Sequence, residues 1–387
     1  MVNLNQKLKI AILFPAFLNG GAESVALWML EALKNDFDLT LVTFSTLDLG
    51  QLNGLYNTDL QPGDFATEIP YNNTPLPALL TSRYGFFTAR QHLLLRYFKK
   101  ISRRFDLAIG AFNEMDMGMR GIQYLNSPMF GKGHESGRAV LGYPDSFFRR
   151  IYHRAFEAIS GFSDERMKDN LSVGNSAWTA RLFSDLYHID VGVLYPPVLL
   201  EPPEIPWQDR ENGFVCVSRI VPEKNIERAI EIIQNIRERG FDVHLHLISS
   251  SFDPAYREKI LKLQAERSSW VFLDENLPRT QLAEMLARHR YGIHVRENEQ
   301  FGISVAEMVK AGCIPFVPAS GGPFEIVDQN PRLTFDSDAE AVEKIVTVMS
   351  DEKLAGLLRE TMKARALLFS VDRFKAELVD LAGRMMG

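Results

Sequence analysis

Only two cysteines occur in 387 residues. Cys216 and Cys313 each sit in an apolar, strand-like run, with neither disulfide nor metal-ligand spacing, so both read as reduced packing residues of a cytoplasmic chain. Long apolar runs are missing too. No stretch reaches the ~20 residues of a transmembrane helix. The apolar run at 10–18 is short and lacks a small-residue cleavage site, so it reads as a first strand rather than a signal peptide. Basic charge is not in excess: 43 Lys and Arg against 49 Asp and Glu give a net charge of −6, which argues against nucleic acid as the main partner. The glycines after the first strand, Gly20-Gly21, lack the Gly-x-Gly-x-x-Gly spacing of a dinucleotide site, which disfavours a dehydrogenase. No Asp-x-Asp pattern has a metal-binding setting; the nearest, Glu114-Met115-Asp116, reads as a loop.

What is present belongs to a soluble globular chain: 46% apolar and 24% charged residues. The length is too great for one ordinary core and predicts two domains. Strand and helix patterns alternate up to a proline-rich span at 195–206, which resists helix and central strand and is placed as the linker. After it the alternation starts again. The predicted boundaries are 1–197, 198–370 and a last helix at 371–387 that crosses back to the first domain. Residues 46–80 show little periodicity and are expected to be an irregular insertion. Two basic, aromatic-rich segments, 86–105 and 147–154, read first as surface helices packed on the sheet, and second as patches that rest on anionic lipid headgroups.

The stretch around which the chain is organised is 293–327. It reads as a buried strand, an acidic loop, a helix opening near Gly302, and a second strand closed by Gly321-Gly322-Pro323. Unpaired N–H groups and the dipole at a helix start favour an anion such as phosphate. Glu299 precedes that helix and Glu307 lies inside it, about 7.5 Å along the axis. Carboxylates accept hydrogen bonds from hydroxyls, so a diphosphate with polyols on both sides fits the layout. A nucleotide sugar is such a molecule. Taken singly, each Glu is an ordinary polar residue; the combination with Phe301-Gly302-Ile303 and the glycine pair is what points to a site.

Glu299, seven residues, then Glu307, with Phe301-Gly302 between them, resembles the signature of family 4 of the retaining glycosyltransferases. The resemblance implies a GT-B α/β fold, two Rossmann-like domains facing a cleft. It also implies that Glu299 binds the donor sugar, that the backbone of Phe301, Gly302 and Ile303 meets sugar and diphosphate, and that Glu307 binds the ribose. Arg219 and Lys224, after the first strand of the second half, resemble the family's diphosphate clamp, and Gly20-Gly21-Ala22-Glu23 its N-terminal phosphate loop. Tyr124-Leu125-Asn126-Ser127-Pro128 resembles a Tyr-x-His-x-Pro segment whose His reaches the donor sugar. Here Asn126 holds the His position, which removes the imidazole; His134 is the candidate replacement.

Within the family, 298–303 and 320–323 look most like mannosyltransferases of lipid-linked oligosaccharide synthesis. The implied function is transfer of a hexose, mannose favoured, from a nucleotide-diphosphate sugar to a glycan or lipid-linked acceptor. No cofactor or metal is expected, and the implied location is the cytoplasm with peripheral contact on the inner face of a membrane. Alternatives from other classes are a different GT-B enzyme, such as a nucleotide-sugar epimerase, and a non-catalytic nucleotide- or glycan-binding protein.

Overall fold

A computed structural model of the chain describes residues 7–18, 21–81, 86–130 and 147–386. Gly20 and His134 lie outside the described residues. The chain divides into two compact units, residues 1–197 with 371–387, and residues 198–370.

The first unit holds seven parallel strands: β1 (Lys9–Leu13), β2 (Asp38–Val42), β3 (Ala66–Glu68), β4 (Leu107–Gly110), β5 (Ile122–Leu125), β6 (Leu171–Gly174) and β7 (Val191–Val193), in the order β3-β2-β1-β4-β5-β6-β7. β1, β4 and β5 are nearly continuous apolar runs buried on both faces, as strands covered by helices on both sides must be. The second unit repeats the design with β8 (Glu211–Val217), β9 (His244–Ser249), β10 (Val271–Glu275), β11 (His289–Ile293), β12 (Ile314–Pro318) and β13 (Thr334–Phe335), ordered β10-β9-β8-β11-β12-β13 and again parallel. In each sheet the strand order reverses beside the first strand, between β1 and β4 and between β8 and β11. Open α/β sheets bind ligands beyond the strands' C-terminal ends at that reversal.

Residues 46–80 are not an irregular insertion. They form helix Leu49–Tyr56, edge strand β3 and helix Leu76–Thr81. The elements are too short to show a period, and the first starts only because Asp48 Oδ1 caps the Gln51 N–H at 3.0 Å. Helix Val371–Met386 belongs to the first unit and packs on helix Gly21–Leu33. Its Lys375 Nζ lies 4.9 Å from the Trp28 ring centre and 3.8 Å from Glu31 Oε1. Cys216 and Cys313 are free and buried, and burial pushes both thiols up to about 12. Among the described residues no helix is long and apolar enough to cross a membrane.

Candidate active site

In the second unit, β8 and β11 deliver their C-terminal loops side by side. The loop after β8 carries Arg219 and a 3-10 turn, Pro222–Lys224, ended by Asn225 in the left-handed region at φ 47°. The loop after β11 carries Arg296 and Glu299. Lys224 Nζ donates to Glu299 Oε2 at 2.5 Å, and Arg296 Nη1 lies 3.6 Å from the same oxygen. Only 14% of the Glu299 side chain is exposed. Burial alone would raise its pKa, but Lys224, His294 and Arg296 together hold it down at about 2. The carboxylate is therefore ionised at any physiological pH.

His294 is a participant that the sequence did not single out. It is 4% exposed, and its Nε2 has no hydrogen-bond partner among the described residues. Burial lowers it to about 4, so it is neutral. Arg219 lies outside this cluster, more than half exposed and 3.7 Å from Glu223.

The Glu299 loop is fixed by the segment after β12. Gly321 N–Cα geometry is left-handed at φ 75°, and a Cβ there would meet Glu299 O at 2.5 Å. A Cβ at Gly322 would lie 2.5 Å from Phe301 Cα. The close approach lets Gly322 N–H donate to Glu299 O at 2.8 Å and Ser320 Oγ accept from Asn298 N–H at 3.1 Å. The glycine pair thus shapes the loop. Phe301, 3% exposed, packs its ring at 5.6 Å from that of Phe369 and anchors the loop to the core.

Gly302 adopts φ 91° and caps helix Ile303–Lys310. No bond within that helix takes up the Ile303 and Ser304 N–H groups, which open its first turn. Glu307, in the middle of the helix, is buried, and Arg279 Nη1 donates to its Oε1 at 2.8 Å. Arg279 Nη2 also donates to Leu199 O at 2.7 Å, and Lys310 Nζ to Val198 O at 2.9 Å, so the start of this unit is tied to the same corner. Arg279 begins a separate helix, Arg279–Arg288, with no sequence cue linking it to Glu307. The structure therefore brings together Lys224, Glu299, Phe301, Gly302 and Ile303 around one loop, with Glu307 set behind it on its own arginine.

In the first unit, Gly21 opens helix Gly21–Leu33 after β1. Glu23 turns inward, accepting from Leu18 N–H and, at 3.1 Å, from the Tyr56 hydroxyl. Asn126 follows β5; its N–H is capped by Asn113 Oδ1 at 3.0 Å and its Oδ1 accepts from Asn175 Nδ2 at 3.2 Å, while its buried Nδ2 has no partner among the described residues. Glu114 and Asp116 serve separate structural purposes. Glu114 is fully buried, accepting from Met129 N–H and the Tyr187 hydroxyl, and burial raises it to about 7. Asp116 binds Lys99 and Arg166, each at 2.7 Å.

Two parallel-sheet α/β units with loops converging at the sheet reversals define the GT-B fold. Solved structures share it along the whole chain. Sucrose-phosphate synthase from Thermosynechococcus elongatus superposes with a TM-score of 0.70 at 15% identity, covering 98% of this chain and 99% of that one. WaaG, a glycosyltransferase involved in lipopolysaccharide biosynthesis, gives 0.66 at 14%, with 96% and 99% covered. Anabaena HepE in complex with UDP and glucose gives 0.67 at 13%, with 97% and 100% covered. Residues 200–366, nearly the whole of the second unit, match the family described as glycosyl transferases group 1.

Among curated proteins, the chain is similar to enzymes named GDP-Man:Man(3)GlcNAc(2)-PP-Dol alpha-1,2-mannosyltransferase. That of Dictyostelium discoideum is 26% identical over 199 residues, 46% of this chain and 38% of that protein. The one from Caenorhabditis elegans is 28% identical over 196 residues, 46% and 41%. The human one is 26% identical over 250 residues, 58% and 50%. The matched stretches thus span about two fifths to one half of these relatives' lengths.

Proposed function

We propose that the chain is a retaining hexosyltransferase that moves mannose from GDP-mannose to a glycan acceptor carried on a lipid. The observation that carries the reading is the ionised, enclosed Glu299 on Lys224, beside the first turn of helix Ile303–Lys310. A diphosphate entering there meets Lys224, the Ile303 and Ser304 N–H groups and the exposed Arg219, while Glu299 accepts from sugar hydroxyls and Glu307 from the ribose. The acceptor hydroxyl forms the new glycosidic bond as the bond to the diphosphate breaks; nucleoside diphosphate and a proton leave. Stabilising the departing charge is the main catalytic demand, and fixed cations and dipoles supply it. Since these groups are all protein-borne, we propose turnover without a metal ion. GDP-mannose and the lipid-linked acceptor are drawn from the names of the curated relatives.

In the first unit, Asn126 Nδ2, without a hydrogen-bond partner among the described residues, is a donor suited to a sugar hydroxyl. Helix Phe147–Ser160 supports contact with an anionic membrane: Phe147, Phe148 and Ile151 are 64%, 82% and 51% exposed, beside exposed Arg150 and Arg154.

The test is a thermal-shift panel of GDP, UDP, ADP and dTDP with their sugar conjugates, without metal and then with magnesium. A selective rise with GDP and GDP-mannose is expected, because a ligand bound only by the folded state stabilises it. A selective rise with UDP would replace the donor, and no rise with any nucleotide would remove the donor site.

A further inference from the structure

At the opposite edge of the second sheet, at the N-terminal ends of its strands, three histidines converge. His244 and His246 sit at alternate positions of β9 and so share one face. His289 opens β11. β8 runs between these strands, and its residue opposite His244 is Gly213. A Cβ at Gly213 would lie 2.2 Å from His244 Nε2. The missing side chain lets imidazoles from the two flanking strands meet across the middle one. His244 Nε2 and His289 Nε2 are 3.0 Å apart, and one ligand atom from each of the three rings lies within 4.8 Å of the others.

A carboxylate completes the group. Glu211 Oε2 is 3.4 Å from His244 Nε2 and 3.8 Å from His289 Nε2, while Arg288 holds its other oxygen at 3.0 Å. Two ligands of a tetrahedral zinc ion, each about 2.0–2.1 Å from the metal, stand roughly 3.3 Å apart. The 3.0, 3.4 and 3.8 Å spacings among His244, His289 and Glu211 fall around that value, and the His246 ligand atom lies within 4.8 Å of those of the other two rings. The outer contacts are those of metal-binding imidazoles, whose second ring nitrogen donates to a carboxylate or a carbonyl. His246 Nδ1 is 2.7 Å from Asp274 Oδ2, and His289 Nδ1 is 2.7 Å from Met285 O. Both contacts leave the Nε2 lone pairs directed elsewhere. The competing arrangement is a plain hydrogen bond from His244 to His289, which accounts for one contact but gives no reason for the third ring and Glu211.

We propose that His244, His246, His289 and Glu211 form a zinc-class site that clamps β8, β9 and β11 together at the edge away from the donor loops. Imidazole and carboxylate ligands suit zinc among the divalent transition metals. Four protein ligands leave no open position, so the site is structural rather than catalytic.

The test uses the full chain, stripped with a chelator and desalted. Zinc is titrated against a chromophoric chelator, and cobalt is added to a second sample for its visible spectrum. One equivalent per chain, intense tetrahedral cobalt bands, and a zinc-dependent rise in melting temperature are expected. His246→Gln, with its partly exposed side chain, and Glu211→Gln should each weaken binding at least tenfold while retaining the native near-ultraviolet dichroism. Absence of saturable zinc binding by the native chain would overturn the proposal. So would equal affinity in the native chain and the His244→Gln/His246→Gln double variant. The native-chain titration decides the matter even if a variant fails to fold, and no arm depends on transferase activity.

Discussion

Lys224 Nζ lies 2.5 Å from Glu299 Oε2, joining the loop after β8 to the loop after β11 across the point where the strand order reverses. The pair holds a buried carboxylate ionised and keeps an ammonium group poised at the first turn of a helix. Under the proposed function, phosphate oxygens of the donor take up the lysine and sugar hydroxyls take up the glutamate.

Removing Glu299 leaves Lys224 enclosed without its carboxylate, and removing Lys224 leaves Glu299 with the longer Arg296 contact at 3.6 Å. Lys224→Ala and Glu299→Ala are each expected to lower turnover by about a hundredfold or more. Each also destabilises the second unit, by about 3 kcal/mol. A double-mutant cycle followed by chemical denaturation should show coupling of about 1 kcal/mol or more. Additive losses would mean that the contact carries no stability.

Arg279→Ala is expected to weaken nucleotide binding roughly tenfold, although Arg279 is not assigned a ligand contact. Its role is to orient Glu307, 2.8 Å away. Because Arg279 is about two-fifths exposed, the stability loss should be only about 1 kcal/mol. Calorimetric titration with the preferred nucleotide separates the two effects; unchanged affinity would make the pair purely structural.

Gly321→Ala combines a left-handed backbone with a Cβ 2.5 Å from Glu299 O. The loop must shift or the segment must strain, at a cost of about 1–3 kcal/mol. Denaturation and donor affinity should both worsen, whereas Gly240→Ala, where a Cβ meets nothing within 4 Å, should leave donor affinity unchanged.

Two buried groups, one in each unit, titrate in opposite directions. His294 falls from 6.5 to about 4 by burial, so between those values the unfolded chain binds more protons and stability rises with pH. Glu114 rises from 4.5 to about 7, also by burial; the folded chain binds the extra proton, so stability falls as pH climbs through that window. Denaturation of His294→Gln should lose part of the acid-side slope, and Glu114→Gln should gain stability above pH 7 relative to the native chain. The reverse pattern would contradict the burial of these groups.

Replacing Phe147 and Phe148 by Ser should abolish sedimentation with vesicles containing phosphatidylserine, without loss of nucleotide binding. Equal sedimentation of the variant would place membrane contact elsewhere.

Much of the candidate site's layout was legible in the sequence because its residues are close in the chain. Glu299, Phe301, Gly302 and Glu307 fall within one strand–loop–helix passage, and the chemistry of a helix start follows from local spacing. What the sequence hid depends on neighbours brought together by the sheet. Arg279 reaches Glu307 from another helix, and Lys224 and Glu299 are 75 residues apart. His294 reads as one more residue of a buried strand until its unpartnered Nε2 is seen. The triple-histidine group was hidden for the same reason: His244 and His246 resemble an ordinary alternating strand, and His289 arrives 45 residues after His244 only because β8 places β9 and β11 on either side of a glycine. At Arg219 the family resemblance implies a phosphate clamp, whereas the side chain lies in solvent beside Glu223. Periodicity also failed at 46–80, where helices of eight and six residues cannot display a period.

The proposed reaction is transfer of a hexose from a nucleoside-diphosphate sugar to a lipid-borne glycan. It is tested most directly by incubating the chain with GDP-mannose labelled in the sugar and a lipid-linked oligosaccharide, then measuring GDP release and label in the extracted lipid. The account predicts GDP release that requires the acceptor, one mannose gained per GDP released, and loss of both signals in Lys224→Ala and Glu299→Ala. Equal GDP release with and without acceptor, or full transfer by both variants, would contradict it.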